Sequence, residues 1–407
     1  MPPKKSRRPA KKLSEFKKLQ LELNPSLAKE IERKSLKQCE QCCYSSSICH
    51  HSDVPKIAIN SIPVAPYEEK IVKESLKELL ASEMADCAEG IFKEEPNENG
   101  QKSLAPTDEF GNTFLHFAAL QDNPEFHKLA FYSVLNGLKN KNPTNIEGLT
   151  PLHIIAQKGN LEICQFIIES VEDKSPKDCR GRTPLHFAAI EGHLSVCKLI
   201  MKNMPDKNPS CEDGQTPLHL AADKGHLDIC QLLLLNTKSK HPKDKDGWTP
   251  LHFASQGGYL MVCQTILNKA KENNPIANDG TTPLHLAALN GHLPVFCLIG
   301  ESTDNINPKD LDGVTPLHEA AGGGHLKICQ AIIEKLADKN PKCNDGMTPL
   351  HYAAESGRVG VYKLIIKHAV DKNPKNDAGL TPIDISDGHK NIEHIFRQFS
   401  KKNSINS

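Results

Sequence analysis

The chain has 407 residues, 50 Lys or Arg against 50 Asp or Glu, and only 5% aromatic side chains. Zero net charge argues against a nucleic-acid binder built over its whole length, and so few aromatics are thin material for several compact cores. The longest aliphatic run, Leu232 to Leu235, is far below the roughly 20 apolar residues that a membrane-spanning helix needs, so no membrane span is expected.

Residues 1–66 read as a disordered basic and Cys/His-containing region. Lys4, Lys5, Arg7, Arg8, Lys11 and Lys12 are flanked by Pro2, Pro3 and Pro9. That composition stays solvated and serves as a nuclear-import signal or as a plain tail. No apolar stretch comes after the cluster, which argues against a secretory leader. The three N-x-S/T outlines, at Asn24, Asn142 and Asn208, each hold Pro in the middle position and cannot be glycosylated. Both features predict an intracellular address, cytoplasm or nucleus. Cys39, Cys42, Cys43, Cys49, His50 and His51 then crowd together. C-x-x-C is half of a tetrahedral zinc site, but an adjacent Cys-His leaves little freedom for that geometry, so no metal and no cofactor is assigned. Over residues 67–92, Ile71, Val72, Leu76, Leu79, Leu80, Met84 and Cys87 form an apolar stripe on one helix face. This helix either docks on the C-terminal region as its N-terminal cap or stays free for a partner, joined by a polar linker at 93–105.

From residue 106 to 400 the sequence is periodic. Thr-Pro pairs begin at Thr150, Thr183, Thr216, Thr249, Thr282, Thr315, Thr348 and Thr381, every step being 33 residues, and a second Pro series from Pro143 to Pro374 keeps the same beat. One unit reads K-x-x-D-G-x-T-P-L-H-x-A-A-x-x-G-H-L-x-x-C-x-x-I. Thr216, Pro217 and Leu218 have the order of a helix start: a capping hydroxyl, a ring with φ preset, and a core residue. Ala221 and Ala222 allow close approach of a neighbour, and Gly225 suits the left-handed residue that ends a helix. A second helix is predicted from about His226 to Leu235, with Leu227, Ile229, Cys230 and Leu233 on or near one face. His241 to Gly247 holds a Pro and an Asp-Gly turn signal, which predicts a β-hairpin finger.

These residues resemble the ankyrin-repeat family, whose unit is 33 residues with a T-P-L-H-x-A signature. The resemblance implies an all-α repeat solenoid of hairpin, helix, helix units, stabilised largely by nearest neighbours. Nine repeats are counted. The first, at Thr113, has Phe114 in place of Pro and is 37 residues long; the ninth loses the Leu and His, reads Thr381-Pro382-Ile383-Asp384, and is expected to cap the array before a short tail at 401–407.

Cys164, Cys197, Cys230, Cys263 and Cys329 share one repeat position that Phe296 and Tyr362 also fill. An apolar core slot accounts for all of them, and their spacing is too wide for disulfides, which need Cα separations below roughly 7 Å. Eight histidines follow the signature Leu and five more the inter-helix Gly, so both sets are expected to be scaffold; the resemblance implies that the signature His bonds the turn around the Thr. No G-x-S-x-G, phosphate loop or H-E-x-x-H occurs, and no catalytic residue is assigned. Two functional classes are weighed. The favoured one is a monomeric, non-catalytic scaffold or adaptor that binds partner proteins through the concave surface. The other is a nucleic-acid-associated regulator, in which the basic tail touches phosphates while the repeats recruit protein. The residue before each signature Thr, including Arg182, Gln215, Trp248 and Met347, follows no pattern the fold requires. The resemblance implies that this position lies on the finger near the concave face, beside the exposed edge of the first helix at Glu191, Asp223, Lys224 and Gln256. Trp248, the sole Trp, is the expected anchor, or else packs locally on the next finger.

Overall fold

A computed structural model describes residues 108–120, 140–270, 272–386 and 388–403. The basic and Cys/His clusters, the 67–92 helix, the 93–105 linker and the second helix expected of the first repeat lie outside the described residues. The described elements are all helices. In chain order they are α1 (Phe114–Leu120), α2 (Pro151–Lys158), α3 (Leu161–Ser170), α4 (Pro184–Ile190), α5 (Leu194–Asn203), α6 (Pro217–Asp223), α7 (Leu227–Asn236), α8 (Pro250–Gly257) and α9 (Leu260–Leu267). After these come α10 (Pro283–Leu289), α11 (Leu293–Gly300), α12 (Pro316–Gly323), α13 (Leu326–Lys335), α14 (Pro349–Glu355), α15 (Val359–His368), α16 (Pro382–Ile385) and α17 (Lys390–Asn403). First helices pack on first helices and second helices on second helices.

No helix of seven to ten residues is stable alone in water, so each depends on its apolar face. In α6 the signature Leu218 and the pair Ala221 and Ala222 are fully buried, and in α7 the buried set is Ile229, Cys230, Leu233 and Leu234. Burying one such leucine stabilises by about 1.5–3 kcal/mol, and the 33-residue beat repeats the contribution in every layer. The cysteine column is buried as expected, with Phe296 and Tyr362 filling the same slot. Burial pushes these thiols up to about 12, so Cys164, Cys197, Cys230, Cys263 and Cys329 stay protonated and inert.

Helix ends follow local chemistry. Proline occupies the first turn of each full-repeat first helix. Gly225 takes φ +73°, and a Cβ there would fall 2.5 Å from the Tyr259 ring of the next repeat, so both conformation and space demand glycine. Carbonyls in the last turn of α5, α7 and α13 and just after it accept from lysines further along the chain: Lys207 on Met201 and Met204, Lys240 on Leu234 and Thr237, Lys339 on Ile333 and Leu336. Pro294 lies in the first turn of α11 and causes no break. The array closes on α17, where Ile392 is fully buried and Ile395 nearly so.

The fingers are shorter than the predicted hairpins. In one of them Asp244 N–H donates to the Trp248 carbonyl at 2.9 Å and Gly247 N–H to the Asp244 carbonyl at 3.1 Å. No strand is formed among the described residues, because Pro242 lacks the N–H needed to extend the ladder. Each finger bonds its neighbour instead: Lys245 N–H donates to the Asp213 carbonyl, and Asn278 N–H to that of Asp246, both at 2.9 Å.

The first helix of repeat seven is rich in glycine. α12 ends in Gly322 and Gly323, with Gly324 at φ +84° as its left-handed cap, and glycine within a helix costs about 1 kcal/mol against alanine. A Cβ at Gly322 would meet nothing nearer than 3.5 Å. One at Gly323 would fall 2.4 Å from Nε2 of His325, which is bonded to the Leu289 carbonyl at 2.8 Å. Amide exchange is therefore expected to be faster over residues 315–325 than over 216–226. In urea unfolding, G322A is expected to gain about 0.5–1 kcal/mol and G323A to lose about 1 kcal/mol through the displaced His325 bond. Equal effects of the two variants would contradict this account.

Candidate functional site

The candidate face is assembled by the signature histidine. In α6, His219 Nδ1 accepts the Thr216 N–H at 3.0 Å and lies 3.0 Å from the Thr216 hydroxyl. A backbone N–H can only donate, so Nδ1 is the acceptor and the ring hydrogen sits on Nε2. Nε2 donates to the Trp248 carbonyl of the next finger at 3.1 Å. The imidazole thus shares the cap that the sequence pattern assigns to the hydroxyl, and adds a tie to the next repeat. The same bond runs from His116, His153, His186, His252, His285, His318 and His351 to the carbonyls of Leu149, Arg182, Gln215, Thr281, Val314, Met347 and Leu380. Every acceptor is the variable residue before a signature Thr.

A second set of ties runs backwards. Nε2 of His193, His226, His292 and His325 bonds the carbonyls of Gln157, Ile190, Gln256 and Leu289 at 2.8 to 3.0 Å. Arg358 does the same with its Nε on Gly322. Both groups of histidines are therefore scaffold, and among the described residues no three His, Cys, Asp or Glu side chains gather as a metal site.

With their backbones held, Arg182 and Trp248 lay their side chains over the first helix of their own repeat. Arg182 pairs with Asp178 at 2.8 Å and spreads its guanidinium over the Phe187 ring, 4.6 Å from the centroid. Trp248 stacks on His252 at 5.7 Å and meets the Phe253 ring edge-on at 5.2 Å. Its packing is with its own repeat, and it remains partly exposed. Arg182, Gln215 and Trp248 occupy three consecutive fingers and form one continuous strip, whereas Met347 is three fingers further on, where its sulfur accepts from Asn376 at 3.4 Å. Glu191, Lys224 and Gln256 are exposed at the ends of α4, α6 and α8, and Asp223 is half-buried. Asp223 pairs with Lys224 at 2.9 Å, and Gln157 reaches Glu191 at 3.5 Å.

Sequence reasoning missed the aromatic floor of this face. Phe187, Phe253 and Tyr352 hold the position five residues after the variable one, which the repeat pattern writes as an unconstrained x. The signal was present: Ile154, Leu220 and Leu286 fill the same position, so only Glu319 among the full repeats departs from apolar character there.

The family model described as Ankyrin repeats (3 copies) matches residues 73–178, 115–211, 170–244, 218–310 and 295–376 in overlapping segments. No curated protein matches the chain.

The bond from each signature His to the next finger, a latch between repeats, makes stability depend on pH. Burial pushes the imidazoles of His153, His186, His219, His252 and His318 from 6.5 down to about 4, against the opposing pull of the finger carbonyls. Unfolded imidazoles protonate below about 6.5 while folded ones stay neutral to about 4, so in that window the unfolded state binds more protons. The contribution is complete above the window and is lost as pH falls through it. Urea midpoints are expected to hold steady above about pH 7 and to drop steeply from about 6.5 towards 4, with uptake of more than one proton on unfolding. A midpoint unchanged between pH 7 and pH 4.5 would rule this coupling out.

Proposed function

Because the family model spans residues 73–376 of 407, this chain belongs to the ankyrin-repeat family, and from that premise we propose that it is a non-catalytic scaffold or adaptor. Ankyrin repeats are protein–protein interaction modules. In this chain the partner lies across the fingers and the exposed ends of the first helices. One observation supports this reading above the others: each latch fixes the backbone of a residue whose side chain the fold leaves open. An extended partner meets a rigid row of different chemistries, Arg182, Gln215, Trp248 and Thr281, at regular intervals. Preorganised side chains lose little entropy on binding. The protein acts as a monomer inside the cell, an address consistent with its column of reduced, buried thiols.

Trp248 is the anchor of the strip. It has one ring face against His252 and is partly exposed, which is the state of an aromatic that binding completes. Affinity capture with the full chain, followed by measurement of the captured protein on purified W248A, tests it. A loss of about 30-fold, or ~2 kcal/mol, is expected, together with a blue shift of the sole Trp emission when the partner is added to the wild type. If W248A lowers the melting temperature while affinity holds, the residue is structural and the anchor is wrong.

A further inference from the structure

We infer that repeat seven holds a receptor slot for an arginine side chain of the partner protein, bounded by Asp310, Val314, Glu319 and Tyr352. The slot rests on the scaffold reading above and specifies the chemistry of what is scaffolded.

The chain supplies its own template for the occupant. In repeat three the Asp178 Oδ1 accepts the N–H groups of Arg180 and Arg182 at 3.0 and 2.7 Å, which shapes the finger. The other oxygen, Oδ2, accepts from Nε of Arg182 at 2.8 Å, and the guanidinium lies over Phe187. A guanidinium therefore bridges a finger carboxylate and the first helix. Four repeats later the frame is the same. Asp310 Oδ1 accepts the N–H groups of Asp312 and Val314 at 3.0 and 2.8 Å. In place of Arg182, however, stands Val314, and in place of Phe187 stands Glu319. Among the described residues nothing bonds Asp310 Oδ2, and no hydrogen bond or ion pair reaches the Glu319 carboxylate.

Relative to repeat three, repeat seven lacks the internal cation and carries a second carboxylate. Glu319 is half-buried between the layers of Leu286 and Tyr352, and burial, with Asp310 as the lesser cause, holds its carboxyl above the ordinary range. Both acids also act on Tyr352, whose ring stands edge-on to His318 at 5.2 Å. Gly322 presents no side chain over that ring: a Cβ there would only just reach it, at 3.5 Å. Lys309, next to Asp310 in the chain, commits its ammonium to the Lys342 carbonyl at 2.9 Å, and burial keeps the His318 imidazole neutral. A planar fork of donors with a stacking face satisfies two carboxylates and a tyrosine ring together, which an ammonium does not. The occupant is therefore arginine.

The test uses the full chain with labelled methyl groups and N-acetyl-arginine amide as the probe, followed at the Val314 methyls. The expected result is a saturable shift in the wild type and a weaker one with N-acetyl-lysine amide. Binding by E319L should be weaker by about tenfold or more, in keeping with the loss of a charge-assisted contact. E319L restores the apolar row and is expected to melt no lower than the wild type, so lost binding there is not lost folding. No shift at Val314, an equal response in E319L, or equal shifts at the fingers of Asp213, Asp246 and Asp279 would overturn the slot. The readout needs no partner, so such a failure leaves the scaffold reading to stand or fall on Trp248.

Discussion

A neutral imidazole bonded at both nitrogens is the interaction on which the array depends. Its Nδ1 can accept from the Thr amide only while unprotonated, and its Nε2 hydrogen is then committed to the next finger, as in His219 between Thr216 and Trp248. One side chain therefore starts a helix, fixes its own tautomer, and joins two repeats. The consensus around it serves that bond. Thr and Pro set the chain direction at the helix start, Leu and the Ala pair bring the next first helix close enough for contact, and the finger turn delivers a carbonyl to meet the imidazole.

The position that the latch holds is also the position that varies. Backbone constraint and side-chain freedom meet at residues such as Arg182, Gln215 and Trp248, since the bond uses only their carbonyls. The fingers are tied to each other independently, through bonds such as Glu212 N–H to the Arg180 carbonyl at 2.8 Å. A substitution at a variable position changes the surface without touching either tie. Recognition can thus be altered one repeat at a time, in a fold whose stability is a sum over neighbours.

Most of this fold was legible in the residues. A 33-residue beat, Pro at the helix start and Gly at its end leave little choice of element, and α6 and α7 fall within a residue or so of their expected bounds. What the sequence did not yield was side-chain partnership. That Trp248 would lie on His252 and Phe253 of its own repeat, not on the next finger, depends on how the turn aims its ring. The apolar floor under the strip hid in a position that tolerates Ile, Phe, Leu and Tyr. The finger, expected as a hairpin, proved to be a turn because its ladder bonds run between repeats, a pairing at a separation of 33 residues that local turn signals do not report.

Departures from the repeat are concentrated, and their placement bears on function. Asn142, Asn208, Asn274, Asn307 and Asn340 each accept a signature Leu N–H at 2.9 to 3.3 Å. At the equivalent position of repeat five stands His241, and neither of its buried ring nitrogens has a partner. The same repeat has Ser255 for the second Ala, Tyr259 for the inter-helix His, and Trp248 for the variable residue. A buried polar group left unpaired costs about 1–3 kcal/mol, so this repeat gives up local stability that its neighbours, with Asn and His in place, retain. Natural chains tend to break local rules where function asks for it. Repeat five, which breaks three of them, presents the only tryptophan, and the array can accommodate the loss because each layer is held from both sides by latches that repeat five leaves intact: His219 into its finger, and His252 out of its first helix.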